Sequence, residues 1–268
     1  MRIRAARQDE SGCGGRLRVR KRQSGMKQTR VYTASVDCLK DPVLYRKALT
    51  LLPEQRVEKA ERMKPESGKR LSAGAGLLLL ASLADYLTGA GGVDRIPAEL
   101  QALRFAEGTY GKPYLPDCPE VHFNLSHSGN HAMCIVSPNP VGCDIEQVDR
   151  RQKQIDMVIR CLAESEQRLA AVSAVHFYRI WTLKESILKL SGKGLQISLK
   201  SFEVSLDPLS VRQTFLREPV KLREYDTLRC DGGEKGEYCC SCASAGGDLP
   251  EEMIRVDLED VLTRMDSG

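Results

Sequence analysis

The order of the predicted elements constrains the fold of this chain more than any other feature. A strand near 31–36 comes first, and apolar residues with helical spacing over 42–63, interrupted at Pro53, predict two short helices. A long apolar helix follows over about 69–87. Short apolar runs bounded by Gly, Pro or Asn then predict strands near 103–105, 121–125, 132–136 and 141–145.

The second half of the chain repeats this order of helices followed by strands. Helical periodicity covers 149–169 and 174–190, and the predicted strands lie near 201–206, 219–225 and 238–243. Pro138-Asn139-Pro140 forms a plausible hinge between the halves. We therefore expect two similar α+β lobes facing one another, 26–138 and 139–268, although no exact repeat is visible.

Basic charge is concentrated at one end of the chain. Residues 1–25 carry eight Lys or Arg against Asp9 and Glu10, so the remaining 243 residues have a net charge of −2. The segment has no apolar run typical of a secretory signal, and its acidic residues do not suit a transit peptide. We interpret 1–25 as a disordered extension, or as sequence upstream of an alternative start at Met26. An arm that binds nucleic acid is the alternative.

A chain that begins at Met26 is expected to keep the melting temperature and the activity of the full chain. Residues 1–25 lack the apolar content needed to pack on a folded body. Thermal unfolding of the two chains measures this, and a loss of several degrees on truncation would show that the extension docks.

The spacing of the ten cysteines indicates a reducing compartment and no zinc site. The cluster Cys239-Cys240-Ser241-Cys242 lacks the two-residue gap of a zinc knuckle, and no His follows it. We expect buried strand thiols in a cytoplasmic protein.

The most apolar stretch, 76–87, is too short to span a bilayer and contains Asp85. It therefore predicts a core helix, and we expect no association with a membrane.

Three carboxylates form the candidate metal site. Asp144 and Glu146 lie two residues apart on a predicted strand, so both point to one face. Glu185 shares a helix face with Trp181 and Lys189 at intervals of four residues. Oxygen ligands of this kind suit Mg²⁺. The alternatives are a solvated strand end and an amphipathic helix with one ion pair.

Hydroxyl and basic side chains predict contacts to a phosphate. Ser126-His127-Ser128 leave a strand at a turn and suit phosphate donors better than a serine nucleophile, since no Gly-x-Ser-x-Gly elbow is present. Lys112 lies on a stiff turn, and Lys184 and Lys189 flank Glu185. The first-half helices also carry basic residues. Such residues usually lie on solvated helix faces, and a bound ligand is the alternative explanation.

Four motifs occur together in a specific order. They are Gly111-Lys112-Pro113, Phe123-Asn124-Leu125-Ser126-His127-Ser128, Val141-Gly142-Cys143-Asp144-Ile145-Glu146 and Trp181-Thr182-x-Lys184-Glu185-Ser186-x-x-Lys189. Each is weak alone, but together they resemble the 4′-phosphopantetheinyl transferases of the Sfp (surfactin-synthetase-activating) type, from about residue 26 to the end. The resemblance implies a cytoplasmic monomer in which two α+β lobes, related by a pseudo-twofold axis, hold coenzyme A in their cleft.

The resemblance also implies the reaction and its site residues. A serine of an apo acyl or peptidyl carrier protein attacks coenzyme A, receives 4′-phosphopantetheine and releases 3′,5′-ADP. The implied Mg²⁺ ligands are Asp144, Glu146 and Glu185, with Glu185 also the base and Lys189 assisting catalysis. The implied coenzyme A contacts are Arg56, Lys59, Arg70, Lys112, Pro113, Ser126, His127 and Lys184.

A different class of enzyme would also use three carboxylates and lysines. A Mg²⁺-dependent phosphodiesterase or nuclease would gain from the basic extension, and a non-catalytic module that keeps the pocket is a further alternative. The acidic balance outside the extension argues against nucleic acid as a partner.

Overall fold

The computed structural model describes residues 28–89, 96–225 and 237–264, and within them the protein is a mixed α+β structure. The strands are β1 (Arg30–Ser35), β2 (Ala106–Glu107), β3 (Pro113–Tyr114), β4 (His122–Ser128), β5 (His131–Ser137), β6 (Val141–Gln147), β7 (Glu203–Leu206), β8 (Leu209–Arg212), β9 (Val220–Tyr225), β10 (Tyr238–Ala245) and β11 (Ile254–Arg255). The helices are α1 (Pro42–Leu51), α2 (Glu54–Glu61), α3 (Glu66–Thr88), α4 (Ala98–Gln101), α5 (Gln152–Ile159), α6 (Glu164–Ala170), α7 (Ala174–Ser191) and α8 (Leu258–Arg264).

The first sheet has the strand order β11-β1-β5-β4 and is packed against α3. The helix ends where Gly89 takes a left-handed conformation and its N–H donates to the Asp85 carbonyl. By length and composition α3 would suit a membrane span, but most of it is buried within the protein. It is a core helix, as its apolar sequence predicts.

The second sheet has the order β6-β10-β9, and α7 lies across it. Ser173 begins this helix by accepting a hydrogen bond from the His176 N–H, and Gly192 ends it in a left-handed conformation. Its apolar residues join a second core with the β10 residues Ala243 and Ala245. Each main sheet is therefore covered by one long helix.

The two sheets meet where β4 lies beside β6. The two strands belong to different sheets, and side-chain hydrogen bonds join them here. Asn124 accepts from the Cys143 N–H at 2.9 Å, and two further bonds join Ser126 to Asp144 and Ser128 to Glu146. Every second side chain of β4 thus contacts β6 along one face.

The end of the described chain lies on the first sheet. β11 pairs in parallel with β1, with Tyr32 opposite Ile254. Val256 and the buried residues of α8 join the core formed by α3 and the first sheet. The sequence-based division into 26–138 and 139–268 places this segment in the second lobe, whereas its contacts are with the first sheet.

Most predicted elements are confirmed, and two are wrong. Residues 103–105 follow α4 and do not form a strand. The sequence suggested one because the more buried Leu103 and Phe105 alternate with the exposed Arg104, which is the pattern of a strand. The periodicity over 149–169 belongs to two helices that are separated at 160–163.

The buried strand thiols are confirmed at Cys134, Cys143, Cys239, Cys240 and Cys242, and Cys161 is exposed. Cys13, Cys230 and the extension 1–25 lie outside the described residues.

Candidate active site

A cleft of about 350 Å³ lies at the junction of β4, β6 and α7, with α2 and α3 forming its other side. Its lining combines acidic, basic and hydroxyl side chains with a few apolar ones. They are Arg56, Lys59, Ser72, Ala75, Leu125, Ser126, His127, Asp144, Glu146, Trp181, Glu185 and Lys189. Eight of these residues are among the site residues that the sequence predicts.

Gly142 allows α7 to lie directly on the backbone of β6. A Cβ atom at this position would overlap the Ser186 carbonyl oxygen and the Leu190 nitrogen. Only glycine permits so close an approach of helix and strand. The approach brings Glu185 and Lys189 of α7 beside Asp144, two residues further along β6.

Asp144 is the centre of a buried polar group. Its Oδ1 accepts from Lys189 Nζ at 2.6 Å and from the Ser126 hydroxyl at 2.7 Å, and Lys189 also donates to Ser126 at 2.8 Å. Its Oδ2 is buried and has no hydrogen-bond partner within the described residues. A carboxylate oxygen left in this state is costly unless a cation or a donor binds it.

The other two carboxylates are held in unfavourable electrostatic surroundings. Burial raises the pKa of Glu146, as do the charges of Asp144 and Glu185, against a hydrogen bond from Ser128. Burial and Asp144 likewise raise the pKa of Glu185. The charge of Asp144 thus opposes the ionisation of both glutamates, and three carboxylates so close together form a site for positive charge.

Lys189 supplies part of that positive charge. Burial opposes its ionisation, but Asp144, Cys143 and Glu185 together outweigh this effect, and the pKa of Lys189 is raised. It is therefore an ammonium at neutral pH, bonded to the carboxylate whose other oxygen is free of partners in the described structure.

The opposite side of the cleft is cationic. The Nε of Arg56 is buried without a hydrogen-bond partner in the part of the chain that the structure describes. Burial lowers the pKa of Arg56 and of Lys59, and the Arg56 charge lowers that of Lys59 further. Burial also lowers the pKa of His127, and Lys189, Lys59 and Arg56 add to this effect. This side of the cleft favours an anionic ligand.

As they are placed, no three His, Cys, Asp or Glu side chains form a metal-ligating group within 28–89, 96–225 and 237–264. Asp144, Glu146 and Glu185 nevertheless line the same cleft, as the sequence predicts.

Lys184 is one of two predicted lysine contacts that the structure places outside the cleft lining. Its side chain is fully buried and donates to Glu166 and to the Phe202 carbonyl, each at 2.7 Å. Its position one residue before Glu185 turns it by about 100° around the helix, away from the cleft.

Lys112 is the other predicted lysine contact that does not line the cleft in the described structure. Its Nζ donates to the carbonyls of Val141 at 2.8 Å and Leu190 at 3.2 Å, and burial lowers its pKa to about 8. Pro113, in β3, and Arg70, which lies near Tyr45, also do not line the cleft in the described structure.

Four lining residues were not predicted as contacts. Trp181 shares its helix face with Glu185 and Lys189, so the i, i+4 spacing already placed it there. No charge pattern in the sequence predicts the other three lining residues, which are Ser72, Ala75 and Leu125. They line the cleft because α3 packs beside β4.

Comparisons with known proteins show the family of the chain. Residues 140–243, which contain β6 and α7, match the model of the 4′-phosphopantetheinyl transferase superfamily. The 4′-phosphopantetheinyl transferase Sfp of Bacillus subtilis (strain 168) is 34% identical over 166 residues, which cover 60% of this chain and 71% of that protein. The ffp transferase of Bacillus subtilis is 33% identical with the same coverage. HetI of Nostoc, also a 4′-phosphopantetheinyl transferase, is 32% identical over 59% of this chain and 63% of its own length. By its sequence and by the motifs that form its cleft, the chain belongs to the 4′-phosphopantetheinyl transferase superfamily.

Proposed function

We propose that the chain transfers 4′-phosphopantetheine from coenzyme A to a serine of an apo acyl or peptidyl carrier protein and releases 3′,5′-ADP. The observation that carries the proposal is the cleft, in which Asp144, Glu146 and Glu185 face the cations Arg56 and Lys59. A diphosphate ester needs both kinds of group, cations for its phosphates and a carboxylate for the attacking hydroxyl. Family membership supports the same reaction.

The proposed architecture is a monomer with two α+β lobes related by a pseudo-twofold axis. One sheet with one long helix in each half supports it, α3 on the first sheet and α7 on the second. The cleft at the β4–β6 junction would then lie between the lobes.

Asp144, Glu146 and Glu185 would hold Mg²⁺. The buried Oδ2 of Asp144 and the raised pKa values of Glu146 and Glu185 fit a hard cation with oxygen ligands. When bound, the ion would neutralise charge on the diphosphate and its leaving group.

Glu185 is the proposed base. Its raised pKa brings it closer to neutral pH, where it would accept the proton of the carrier serine more readily than an exposed glutamate. The serine oxygen then bonds to the β-phosphorus of coenzyme A, and the bond from that phosphorus to 3′,5′-ADP breaks. Lys189 would stabilise the negative charge that builds on the leaving group.

His127, Ser126, Arg56 and Lys59 are the proposed contacts to the adenosine phosphates. We expect dephospho-coenzyme A to bind more weakly than coenzyme A, by roughly tenfold or more at low salt. In His127→Ala this ratio of dissociation constants should shrink, because the residue that distinguishes the two ligands is gone. Calorimetric titration of both ligands measures the ratio.

Arg70→Ala is the control for this experiment. It removes a cation of the same lobe that does not line the cleft in the described structure, so its ratio should match that of the wild type. A change in Arg70→Ala with none in His127→Ala would contradict the assignment of the phosphate side.

A single assay tests the proposed function. The full chain is incubated with coenzyme A, Mg²⁺ and an apo carrier protein, and mass spectrometry should find one phosphopantetheine adduct on a serine. Neither the relatives nor the cleft favours the phosphodiesterase or nuclease alternative. Cleavage of nucleic acid without an adduct would overturn the proposal.

A further inference from the structure

Tyr238 connects the two sheets at the turn between β4 and β5. It is the first residue of β10 and is fully buried. Its hydroxyl donates to Asn130 Oδ1 at 2.6 Å and accepts from the Asn130 N–H at 3.2 Å. Asn130 lies in the tight turn between β4 and β5, so a residue of the second sheet binds the turn of a first-sheet hairpin.

The turn is bound from the first sheet as well. The Asn130 side-chain amide donates to Asp37 Oδ2 at 2.6 Å, and the Asn130 backbone carbonyl accepts from the Val36 N–H at 2.9 Å. These bonds fix the turn to its own sheet. The Tyr238 hydroxyl adds the link to the sheet that carries Asp144 and Glu146.

The turn directly follows the strand residues that border the cleft. Ser128 donates to Glu146 Oε2 at 2.7 Å and accepts from the Gln147 N–H at 3.1 Å, one residue before the turn begins. His127 precedes it and lines the cleft. His127 and Ser128 pair with Ala132 and His131 of β5, so their positions are coupled to that of the turn that joins the two strands.

We propose that Tyr238 is a positioning residue, whose hydroxyl keeps the β4–β5 turn in register with β6 and so holds His127 and Ser128 at the cleft. The hydrogen bonds of Asn124, Ser126 and Ser128 align β4 with β6 as far as the last residue of the strand. The two directional hydrogen bonds between Tyr238 and Asn130 extend this alignment to the turn. Tyr238 itself is not among the residues lining the cleft in the described structure. The inference about coenzyme A rests on the proposed function.

Tyr238→Phe tests this proposal, because it removes one hydroxyl and keeps the ring that packs against His131 at 4.7 Å. The dissociation constant for coenzyme A should rise about threefold to tenfold, the range that corresponds to one buried hydrogen bond. In a His127→Ala background the same change should have an effect below about twofold, since Tyr238 acts through that residue.

Tyr225→Phe is the matched control. Tyr225 is also a buried tyrosine of the second sheet, and its hydroxyl donates to the Pro250 carbonyl at 3.0 Å, which is not a cleft residue. A comparable loss of melting temperature is expected, with no change in coenzyme A binding. Equal weakening of binding in both variants would show a general loss of stability and would overturn the proposal.

Amide hydrogen exchange gives a readout that does not depend on the proposed function. Exchange at residues 128–131 should be faster in Tyr238→Phe than in the wild type, and unchanged in Tyr225→Phe. Unchanged exchange in Tyr238→Phe would overturn the positioning role. If the wild type does not bind coenzyme A, the proposed function and the link to the cofactor both fail, while the exchange result still decides whether Tyr238 holds the turn.

Discussion

Asp144→Ala is expected to lower turnover at least about 100-fold while the fold is kept. The transition state loses the carboxylate that binds both Lys189 and Ser126 in the cleft. The change removes Oδ2, for which the described part of the chain offers no hydrogen-bond partner, together with the oxygen that accepts from Lys189. It also removes a negative charge that raises the pKa of Glu185, so any residual activity should extend to lower pH. Steady-state rates at limiting Mg²⁺, measured across pH, test both effects.

Two further variants and one control sharpen this prediction. Glu185→Gln should cause a loss of the same order, and Glu146→Ala a milder one if water replaces its oxygen. Asp117→Ala is the control, since this exposed carboxylate pairs with Arg104 and does not line the cleft in the described structure. Turnover of Asp144→Ala near that of the control would remove the metal-site proposal.

Gly142→Ala is expected to separate α7 from β6. The added methyl group would overlap backbone atoms of Ser186 and Leu190, which no side-chain rotation relieves. We expect a destabilisation of about 3 kcal/mol, the upper end for overpacked sites, and a melting temperature lowered by about 6–12 °C. Turnover should fall about 100-fold even below the melting temperature, since a shift of about 1 Å in Glu185 or Lys189 has an effect of that size.

Gly108→Ala is the matched control. A Cβ atom there would meet only the Lys112 carbonyl oxygen at 3.6 Å, which is ordinary contact. Both melting temperature and rate should stay close to those of the wild type. A stable and active Gly142→Ala variant would mean that α7 has room to move without consequence for the site.

Local periodicity was sufficient to predict the acidic side of the cleft. Alternation along β6 put Asp144 and Glu146 on one face, and the spacing along α7 put Trp181 beside Glu185 and Lys189. These relations depend only on the geometry of one strand and one helix, so a single sequence reveals them.

The hydrogen-bond partners of Lys184 and Lys112 could not be predicted in this way. Lys184 is bound by Glu166, which lies 18 residues earlier and also accepts from the N–H groups of Ala163 and Val204. Lys112 is bound by two backbone carbonyls, which are identical in every residue type. Both environments arise from the packing of separate elements and leave no local pattern. For the same reason the first-sheet position of β11 and α8 was missed.

The position of β11 and α8 has a consequence for how the protein is made. β1 lies near the beginning of the described chain, yet one of its neighbours is formed by Ile254 and Arg255, more than 200 residues later. During synthesis the first sheet would leave the ribosome with one edge of β1 unpaired and the apolar surface under α8 exposed. Such long-range pairing slows folding. We therefore expect completion of the first sheet to be a late event, and a nascent chain stalled near residue 138 to depend on chaperones.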